Sequence, residues 1–453
     1  DIYIVEVLLI LHSHVDYISE FPWADGIEIH SILYDEIFRN YQEQQTNPIE
    51  GVSIVDGFLE PNFRDTLNNQ VDILAQEQEA RGLKDYHPHS NNIVRDIVHP
   101  ALYSYIKDYS SLVHDVCDVR PCYFPPLSIA AEEGEDDQDN NCTVAEDFWG
   151  RTYEDSVYQW LPTYFSVGKD NSVVIQDYIN NLVPRGDQHI EDLYNSLAKL
   201  FQQALPYMES VYSYVRGVRP LMRHDDWDPD DEQYELPLEP VSFRGKQLQV
   251  ICKIVDYELQ STPPEGESGA QRQSYEGVWH VEGMSHEEIV LTCLYILDRD
   301  TSIQGGEINF QRTFLSDEAA LLYESVNQTR HPVFESYLEN GLAPLGQVKT
   351  PQGRLIVFPN SHVHKVGKMF CETLDDDSNT AASEATARRR IVVFFLVNPL
   401  RRIPSTREVP PQQEHAGGNM SLEEAKKHRL NLMKERKLTK QDWNVRDIEL
   451  CEH

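Results

Sequence analysis

The stretch Trp279-His280-Val281-Glu282-Gly283 sets both the fold and the chemistry that the rest of the chain has to fit. Side chains alternate between the two faces of a β-strand, so residues two apart lie on the same face. On a strand, the imidazole of His280 and the carboxylate of Glu282 therefore point the same way and can hold one ion. The pattern predicts a strand end that carries two metal ligands.

A third ligand is expected from a distant strand. Gly353-Arg354-Leu355-Ile356-Val357-Phe358-Pro359 has the pattern of a turn and a buried strand, and His362 and His364 follow it. The two histidines share a face if the strand continues, and the residue pattern does not choose between them. Two histidines and one carboxylate leave three coordination positions open, which suits a non-haem Fe(II) oxygenase.

Arg390 precedes the apolar run Ile391 to Val397, which is typical of a buried strand. An arginine at the edge of such a strand needs an anion to offset the cost of burial. A guanidinium fork matches the far carboxylate of 2-oxoglutarate. We therefore predict that Arg390 points into the same cavity as the metal ligands, and that Arg388 and Arg389 face solvent.

The spacing His-x-Asp/Glu occurs four times and is a weak signal by itself. The pairs are His189/Glu191, His224/Asp226, His280/Glu282 and His286/Glu288. With 17 histidines and 75 acidic residues, about this number is expected by chance. Only the pair at 280 and 282 lies at the end of a predicted strand.

Short apolar strands separated by loops rich in Gly, Pro and acidic residues follow residue 247. They are predicted at 247–257, 277–282, 288–297, 307–312, 354–358 and 390–397. This pattern indicates a mixed α and β protein with a double-stranded β-helix core, a cupin-like jelly roll. Helical apolar spacing predicts helices at 63–80, 91–112 and 190–208, and at 421–437, where Ser421 and Glu424 form a capping box.

These elements suggest a mainly helical N-terminal region at 1–125, a jelly-roll core with helical insertions at 150–415 and a C-terminal helical tail at 416–453. Strands are also expected within 158–167 and 172–179. Two runs of acidic residues, at 132–141 and 224–235, are predicted to be loops. The segment 370–388 joins the strand of His364 to that of Arg390, and its polar sequence predicts a mobile flap.

The chain of 453 residues carries 39 basic and 75 acidic residues, a formal charge of −36. Such a surface repels nucleic-acid phosphates and anionic lipids, so neither nucleic acid nor membrane is an expected partner. It favours a small-molecule substrate or a basic peptide, although the charge also serves solubility. Oligomeric state is left open.

Seven cysteines are spread along the chain without a CxxC pair, which predicts neither a disulfide framework nor a zinc knuckle. We expect an intracellular protein in a reducing compartment, the cytoplasm. The apolar run from Ile2 to Leu11 contains Glu6 and lacks a preceding basic segment, so it is a poor signal peptide.

Several motifs in the same order resemble an uncharacterised family of oxygenase-like proteins, domain of unknown function 4246. They are Gln159-Trp160-Leu161-Pro162, Tyr178-Ile179-Asn180-Asn181-Leu182, the 279–283 stretch with Glu288-Ile289-Val290 and Cys293-Leu294-Tyr295, Gly353-Arg354-Leu355, Phe358-Pro359-Asn360, Phe395-Leu396-Val397-Asn398-Pro399, Ser405-Thr406, Val409-Pro410-Pro411-Gln412 and the final helix. The resemblance spans most of the chain and is least clear at 1–110.

The resemblance implies that His364 is the third ligand and that His362 is its neighbour. It aligns Arg390 with the family's strand-start arginine. The stretch 291–307 is also similar to prolyl-hydroxylase-like Fe(II)/2-oxoglutarate oxygenases, in which a tyrosine often holds 2-oxoglutarate where this chain has Ile296. Tyr295 is adjacent but faces the other way on a regular strand.

The expected activity is therefore Fe(II)- and 2-oxoglutarate-dependent oxidation, a dioxygenase reaction that hydroxylates an unidentified substrate. His280, Glu282 and His364 would bind iron, and Arg390 would bind 2-oxoglutarate. One alternative is a catalytically silent jelly-roll binding module. Another is a Jumonji-type protein demethylase or hydroxylase, a class that commonly holds 2-oxoglutarate with a lysine, for which Lys253 is the candidate.

Overall fold

The computed structural model describes residues 49–107, 109–112, 156–182, 186–216, 241–260, 273–313, 341–372, 386–441 and 449–450. The predicted acidic loops at 132–141 and 224–235, the core of the predicted flap and the apolar run at 2–11 lie outside these residues.

The described residues form three α-helices and eighteen strands. The helices are α1 (Pro61–Ala80), α2 (Gln188–Arg216) and α3 (Leu422–Gln441). The strands are β1 (Ser53–Val55), β2 (Val94–Val98), β3 (Tyr105–Ile106), β4 (Tyr158–Gln159), β5 (Thr163–Val167), β6 (Val173–Ile175), β7 (Gln247–Gln260), β8 (Ser274–Tyr275), β9 (His280–Val281), β10 (Ile289–Arg299), β11 (Ile303–Gly305), β12 (Ile308–Thr313), β13 (Leu342–Val348), β14 (Leu355–Pro359), β15 (His362–Val366), β16 (Met369–Cys371), β17 (Thr386–Val397) and β18 (Glu449–Leu450).

The main sheet has eight strands in the order β1-β14-β10-β17-β7-β5-β6, and β2 also pairs with β7. A five-stranded sheet has the order β13-β12-β15-β9-β18, and a three-stranded sheet the order β11-β16-β8. Strands β3 and β4 form a separate pair. Every pairing between named strands of the described residues is antiparallel except that of β18 with β9. The protein is thus of mixed α and β type, with mostly antiparallel sheets and few helices.

The main sheet is buried on both faces, and alternate residues of one strand enter different cores. Val392, Phe394 and Leu396 of β17 pack with α1 and α2 in one core. Ile391, Val393 and Phe395 pack with the smaller sheets and α3 in the other. We call these the helix side and the inner side of the main sheet. Burial on both faces explains why its long strands are continuous apolar runs rather than alternating ones.

Most predicted elements are present, and their ends differ by a few residues. The helix predicted at 190–208 spans 188–216, and the strand predicted at 390–397 begins at residue 386. The helix predicted at 421–437 is also present, with Ser421 Oγ accepting the N–H of Glu424 at 3.3 Å.

The prediction of a helix at 91–112 is wrong. Val94–Val98 is a strand of the main sheet, antiparallel to β7, and all five residues are buried. The described part of the N-terminal region therefore adds two strands, β1 and β2, to that sheet as well as helix α1. A buried edge strand has apolar residues on both faces, so its spacing matches a helical pattern by accident. The domain boundaries stay predictions.

Candidate metal centre

The structure brings His280, Glu282 and His364 together. His280 lies on β9 directly opposite His364 on β15, and Glu282 follows the end of β9. Glu282 Oε1 lies 3.7 Å from His280 Nε2 and 3.4 Å from His364 Nε2. All three residues are buried, with exposed fractions of 7%, 7% and 5%.

Both imidazoles are oriented as metal ligands require. Nδ1 of His280 donates to the carbonyl of Val278 at 2.8 Å, and Nδ1 of His364 donates to that of His362 at 3.2 Å. With Nδ1 bonded to a carbonyl, Nε2 is in both residues the atom that faces Glu282. A second ring nitrogen held by a carbonyl is the usual arrangement of a ligating histidine.

The electrostatics of the cluster favour a cation. Burial opposes ionisation of Glu282, but the hydrogen bonds and charges of His280 and His364 outweigh it and hold its pKa well below the usual range. Burial, aided by the proximity of His280, lowers the pKa of His364. Metal bonds of about 2.0–2.2 Å place neighbouring ligand atoms about 3 Å apart, so the observed separations fit one ion.

Asn360 holds the backbone of Glu282. Its Oδ1 accepts the N–H of Glu282 at 2.8 Å, and its Nδ2 donates to the carbonyls of Glu282 at 2.8 Å and of Ile289 at 3.0 Å. Asn360 lies in the turn between β14 and β15, four residues before His364. The turn that leads to one ligand thus fixes the main chain of another.

The placement predicted for Arg390 is wrong. Its guanidinium lies on the helix side, with two hydrogen bonds of 2.7 Å to the Asp256 carboxylate and further bonds to Asn68 and Asp72 of α1. The reason is that side chains alternate between the two faces of β17, and Arg390 lies on the same face as Val392 and Phe394. Asp256 interrupts the apolar run of β7 and needs a counter-charge, but the sequence does not show which arginine supplies it.

Arg389, predicted to face solvent, is fully buried on the inner side. Its Nη1 donates to the Gly306 carbonyl at 3.2 Å, and its Cζ lies 5.3 Å from the ring centre of Tyr257. Nε and Nη2 have no hydrogen-bond partner among the described residues. Burial lowers the pKa of Arg389 to about 10. A buried cation with two unused donors is arranged for an anion.

Tyr257 lies beside Arg389 on the inner side of the main sheet. Burial raises its pKa, and the charges of Arg389 and Glu282 both act on its phenol. Tyr257 also stacks edge-on against Tyr275 at 5.2 Å, and the Tyr275 hydroxyl is buried without a hydrogen-bond partner among the described residues. The inner side therefore carries two buried phenols next to the buried arginine.

The other predicted site residues fall on different faces. Tyr295 lies on the helix side against Phe58, with ring centres 5.9 Å apart, so it faces away from the cluster. Lys253 pairs with Val393 of β17 and is 7% exposed, on the inner side. His362 donates Nε2–H to the carbonyl of Glu50 at 2.8 Å and is not part of the cluster.

A second group of ligand-type residues, His87, Asp96 and His99, was not found from the sequence. Their side-chain atoms lie within 4.8 Å of one another and all three are buried. The hydrogen bonds argue against a metal, because Nδ1 of His99 accepts the N–H of Ala101 at 3.2 Å and the proton is left on Nε2. The Asp96 carboxylate is also paired with Arg429 at 3.0 Å. This group is a buried ion-pair network.

Comparison with known proteins identifies the family. The family model described as protein of unknown function (DUF4246) matches residues 34–236 and 220–419. The chain belongs to this family. No curated protein matches it.

The second matched segment of this DUF4246 chain, 220–419, contains His280, Glu282 and His364 and both buried arginines of β17. Within the described residues, no helix is long and apolar enough to cross a membrane.

Three solved structures show a weak likeness to this DUF4246 chain. A Trichoplax adhaerens prolyl hydroxylase in complex with a hypoxia inducible factor peptide is 12% identical, covers 81% of this chain and 92% of its own, and has a TM-score of 0.27. A Pseudomonas putida prolyl-4-hydroxylase is 11% identical, with 77% and 93% coverage and a TM-score of 0.28. The Fe(II)/α-ketoglutarate-dependent dioxygenase TqaL is 11% identical, with 83% and 93% coverage and a TM-score of 0.30. TM-scores this low support no conclusion about this chain.

Proposed function

We propose that this protein is an Fe(II)- and 2-oxoglutarate-dependent oxygenase that hydroxylates its substrate. One observation carries the proposal: the Nε2 atoms of two buried imidazoles converge on one buried carboxylate, inside a sheet structure that also buries an arginine with unused donors. The donor set of two histidines and one carboxylate is that of non-haem Fe(II) oxygenases.

The sheet order supports a double-stranded β-helix core. Strands β7, β17, β10 and β14 form one layer, and β9, β15, β12 and β13 form a second layer that faces it across the inner core. Among these eight strands, the chain changes layer at every step except from β12 to β13. In this arrangement His280 and Glu282 lie at the end of one strand of the facing layer and His364 on its neighbour. Both histidines are thus held on paired strands, and Glu282 lies just past a strand end, where Asn360 fixes its main chain.

Each residue of the site has a task that follows from its position. His280, Glu282 and His364 would hold the iron, and Arg389 would pair through Nε and Nη2 with the distal carboxylate of 2-oxoglutarate. Phe358 and Phe310 pack against His364, with ring centres 4.7 Å and 6.2 Å away, and keep water from its inner side. When bound, iron and 2-oxoglutarate would let O₂ act as the oxidant: one oxygen atom would be inserted into a substrate C–H bond and the other would enter succinate, with release of CO₂.

A second candidate is a Jumonji-type demethylase or hydroxylase, in which Lys253 rather than Arg389 would hold 2-oxoglutarate. The position of Lys253 on the inner side favours keeping this candidate. A small-molecule or basic peptide substrate and a cytoplasmic location also stay part of the proposal, from composition alone. A catalytically silent binding module would keep the pocket without turnover.

The decisive experiment is anaerobic titration with Fe(II) and then with 2-oxoglutarate, followed by the weak visible charge-transfer band of the complex. We expect one iron per chain and a band that requires both additions. Glu282→Ala should lose both. His189→Gln is the matched control, because His189 belongs to another His-x-Glu pair and instead contacts Glu77 at 3.0 Å. Equal iron binding by wild type and Glu282→Ala would refute the assignment.

A further inference from the structure

A second buried carboxylate lies behind the metal cluster. Glu287 belongs to the short 3-10 turn Ser285–Glu287 that follows Glu282, and it is fully buried. Its Oε1 accepts the N–H of Trp160 at 2.6 Å, and its Oε2 accepts the N–H of Met284 at 2.7 Å. Glu287 therefore ties the loop after the metal ligand to the segment between β4 and β5.

The Glu287 carboxylate also packs against the residue next to Glu282. Gly283 has a φ of +66°, and a Cβ at this position would lie 2.7 Å from Glu287 Oε2 and 2.7 Å from Ile289 Cδ1. Only glycine fits this turn without moving its neighbours, because it lacks a Cβ and tolerates positive φ. The direction in which the chain leaves Glu282 is thus set by contact with Glu287.

The counter-charge for Glu287 comes from the C-terminal helix. Arg436 on α3 donates through Nη2 to both carboxylate oxygens, at 2.9 Å and 3.1 Å, and its Cζ lies 4.5 Å from the ring centre of Trp160. Helix α3 is itself seated in the inner core by Ala425 and Leu432, both fully buried. Removing one partner from such a pair leaves a buried charge without compensation.

We infer that Arg436 is a positioning residue for the metal centre. It neutralises Glu287 and so keeps the turn at Gly283 closed, which holds the Glu282 carboxylate in line with His280 and His364. Asn360 holds the main chain of Glu282 from the side of β14, and Arg436 acts through Glu287 on the opposite side. The inference rests on the metal centre proposed above but not on the identity of any substrate.

The test is the affinity of the full-length protein for metal, with Mn²⁺ as the probe, measured by calorimetry on wild type and Arg436→Met. Loss of the groups that orient ligands typically weakens metal binding by roughly 10- to 100-fold. We expect a loss of this size, together with a lower Tm of the metal-free protein. Arg436→Lys keeps the charge but loses the planar guanidinium that reaches both carboxylate oxygens, so its affinity for Mn²⁺ should lie between those of wild type and Arg436→Met.

Arg429→Met is the matched control. Arg429 lies on the same helix, is also 2% exposed and is also in a buried ion pair, with Asp85 at 2.6 Å and Asp96 at 3.0 Å. These ion pairs join α3 to the loop before β2 and to β2 itself, not to the turn at Gly283. We expect Arg429→Met to lower Tm as much as Arg436→Met and to leave the Mn²⁺ affinity at the wild-type value.

A folding defect is separated from a positioning effect by the double variant Glu287→Gln/Arg436→Met. Neutralising both partners removes the uncompensated charge, so the double variant should regain stability relative to Arg436→Met. Its Mn²⁺ affinity should stay weak, because one glutamine oxygen cannot accept both backbone N–H groups as the two carboxylate oxygens do.

Two results would overturn the inference while leaving the proposed function standing. One is a folded Arg436→Met, or double variant, that binds Mn²⁺ as wild type does. The other is an equal loss of affinity in Arg429→Met, which would make the effect a general one of helix α3. Failure of wild type itself to bind Mn²⁺ at His280, Glu282 and His364 would instead refute the proposed function.

Discussion

Arg389 and Arg390 are neighbours on one strand, yet their guanidinium groups lie on opposite sides of the main sheet. Arg390 is fully paired with Asp256 and with residues of α1. Arg389 has two donors without a hydrogen-bond partner among the described residues and a lowered pKa. Identical side chains one position apart are therefore suited to different tasks, one to holding the fold together and the other to binding an anion.

Arg389→Lys is expected to raise the concentration of 2-oxoglutarate needed for the visible band of the iron complex, with iron binding unchanged. Lysine keeps the charge but offers no fork for a carboxylate. The measurement is titration of 2-oxoglutarate into the iron-loaded protein. An unchanged dependence on 2-oxoglutarate would exclude Arg389 as the residue that binds its distal carboxylate, and Lys253 would become the next candidate.

Arg389→Met should leave the metal-free protein as stable as wild type or more so. Replacing a buried, incompletely paired charge with an apolar side chain of similar length removes a desolvation cost. Arg390→Met should have the opposite effect and lose about 3–5 kcal/mol, because Asp256 is then left buried without a counter-charge. Urea unfolding of the two variants gives the comparison, and equal losses would contradict it.

Gly283→Ala should weaken metal binding, and it should destabilise the protein by more than the backbone strain of an alanine at this positive φ would alone. A non-glycine residue at positive φ costs about 1–2 kcal/mol, and here the added Cβ also meets Glu287 and Ile289. Gly57→Ala is the control, since Gly57 has a φ of +56° and nothing within 4 Å of an added Cβ. Denaturant unfolding and Mn²⁺ titration of both variants separate the effect of the contact with Glu287 and Ile289 from that of backbone strain. Equal losses of stability and equal Mn²⁺ affinities in the two variants would show that the contact has no effect.

His99→Asn should flatten the acid dependence of stability in the metal-free protein. Burial holds the pKa of His99 well below its usual 6.5, against the charge of Asp96 and with those of Lys253, His87 and Arg429. A histidine with a lowered pKa in the fold contributes stability above pH 6.5 that is lost as the pH falls, because the unfolded chain binds the proton first.

Asparagine at position 99 can still accept the Ala101 N–H through Oδ1 but does not titrate. The free energy of unfolding should therefore fall less in His99→Asn than in wild type between about pH 7 and pH 5. Urea unfolding across this range is the measurement. Parallel profiles for the two proteins would mean that His99 does not contribute to acid sensitivity.

The pairing of His280 with Glu282 could be predicted from the sequence because strand periodicity is local, and two residues suffice to define a face. The position of the Arg390 guanidinium could not be predicted, because β17 is apolar on both faces. Nothing in the local sequence shows which of its residues face the helix side and which face the inner side. Only the partners decide: Asp256 and α1 on one side, and Gly306 and Tyr257 on the other.

The same limit explains the segment 91–112 and the role of α3. Strand β2 is buried on both sides, so its apolar residues carry no period of two that would separate it from a helix. In the sequence, Arg436 is one of many charged residues on its helix, so nothing local distinguishes it. Its contact with Glu287 joins residues 149 positions apart. Long-range pairs of this kind depend on tertiary packing rather than on local pattern.

The link between Glu287 and Arg436 also has a consequence in time. During synthesis the three proposed metal ligands leave the ribosome before α3, and the last of them, His364, precedes Arg436 by 72 residues. At about 5–20 residues per second, this is a delay of roughly 4–14 s. A nascent chain, or one terminated before Arg436, would thus carry every proposed ligand without the contact that closes the turn beside Glu282. Tight metal binding would begin only after Arg436 has been synthesised and α3 has packed against the turn.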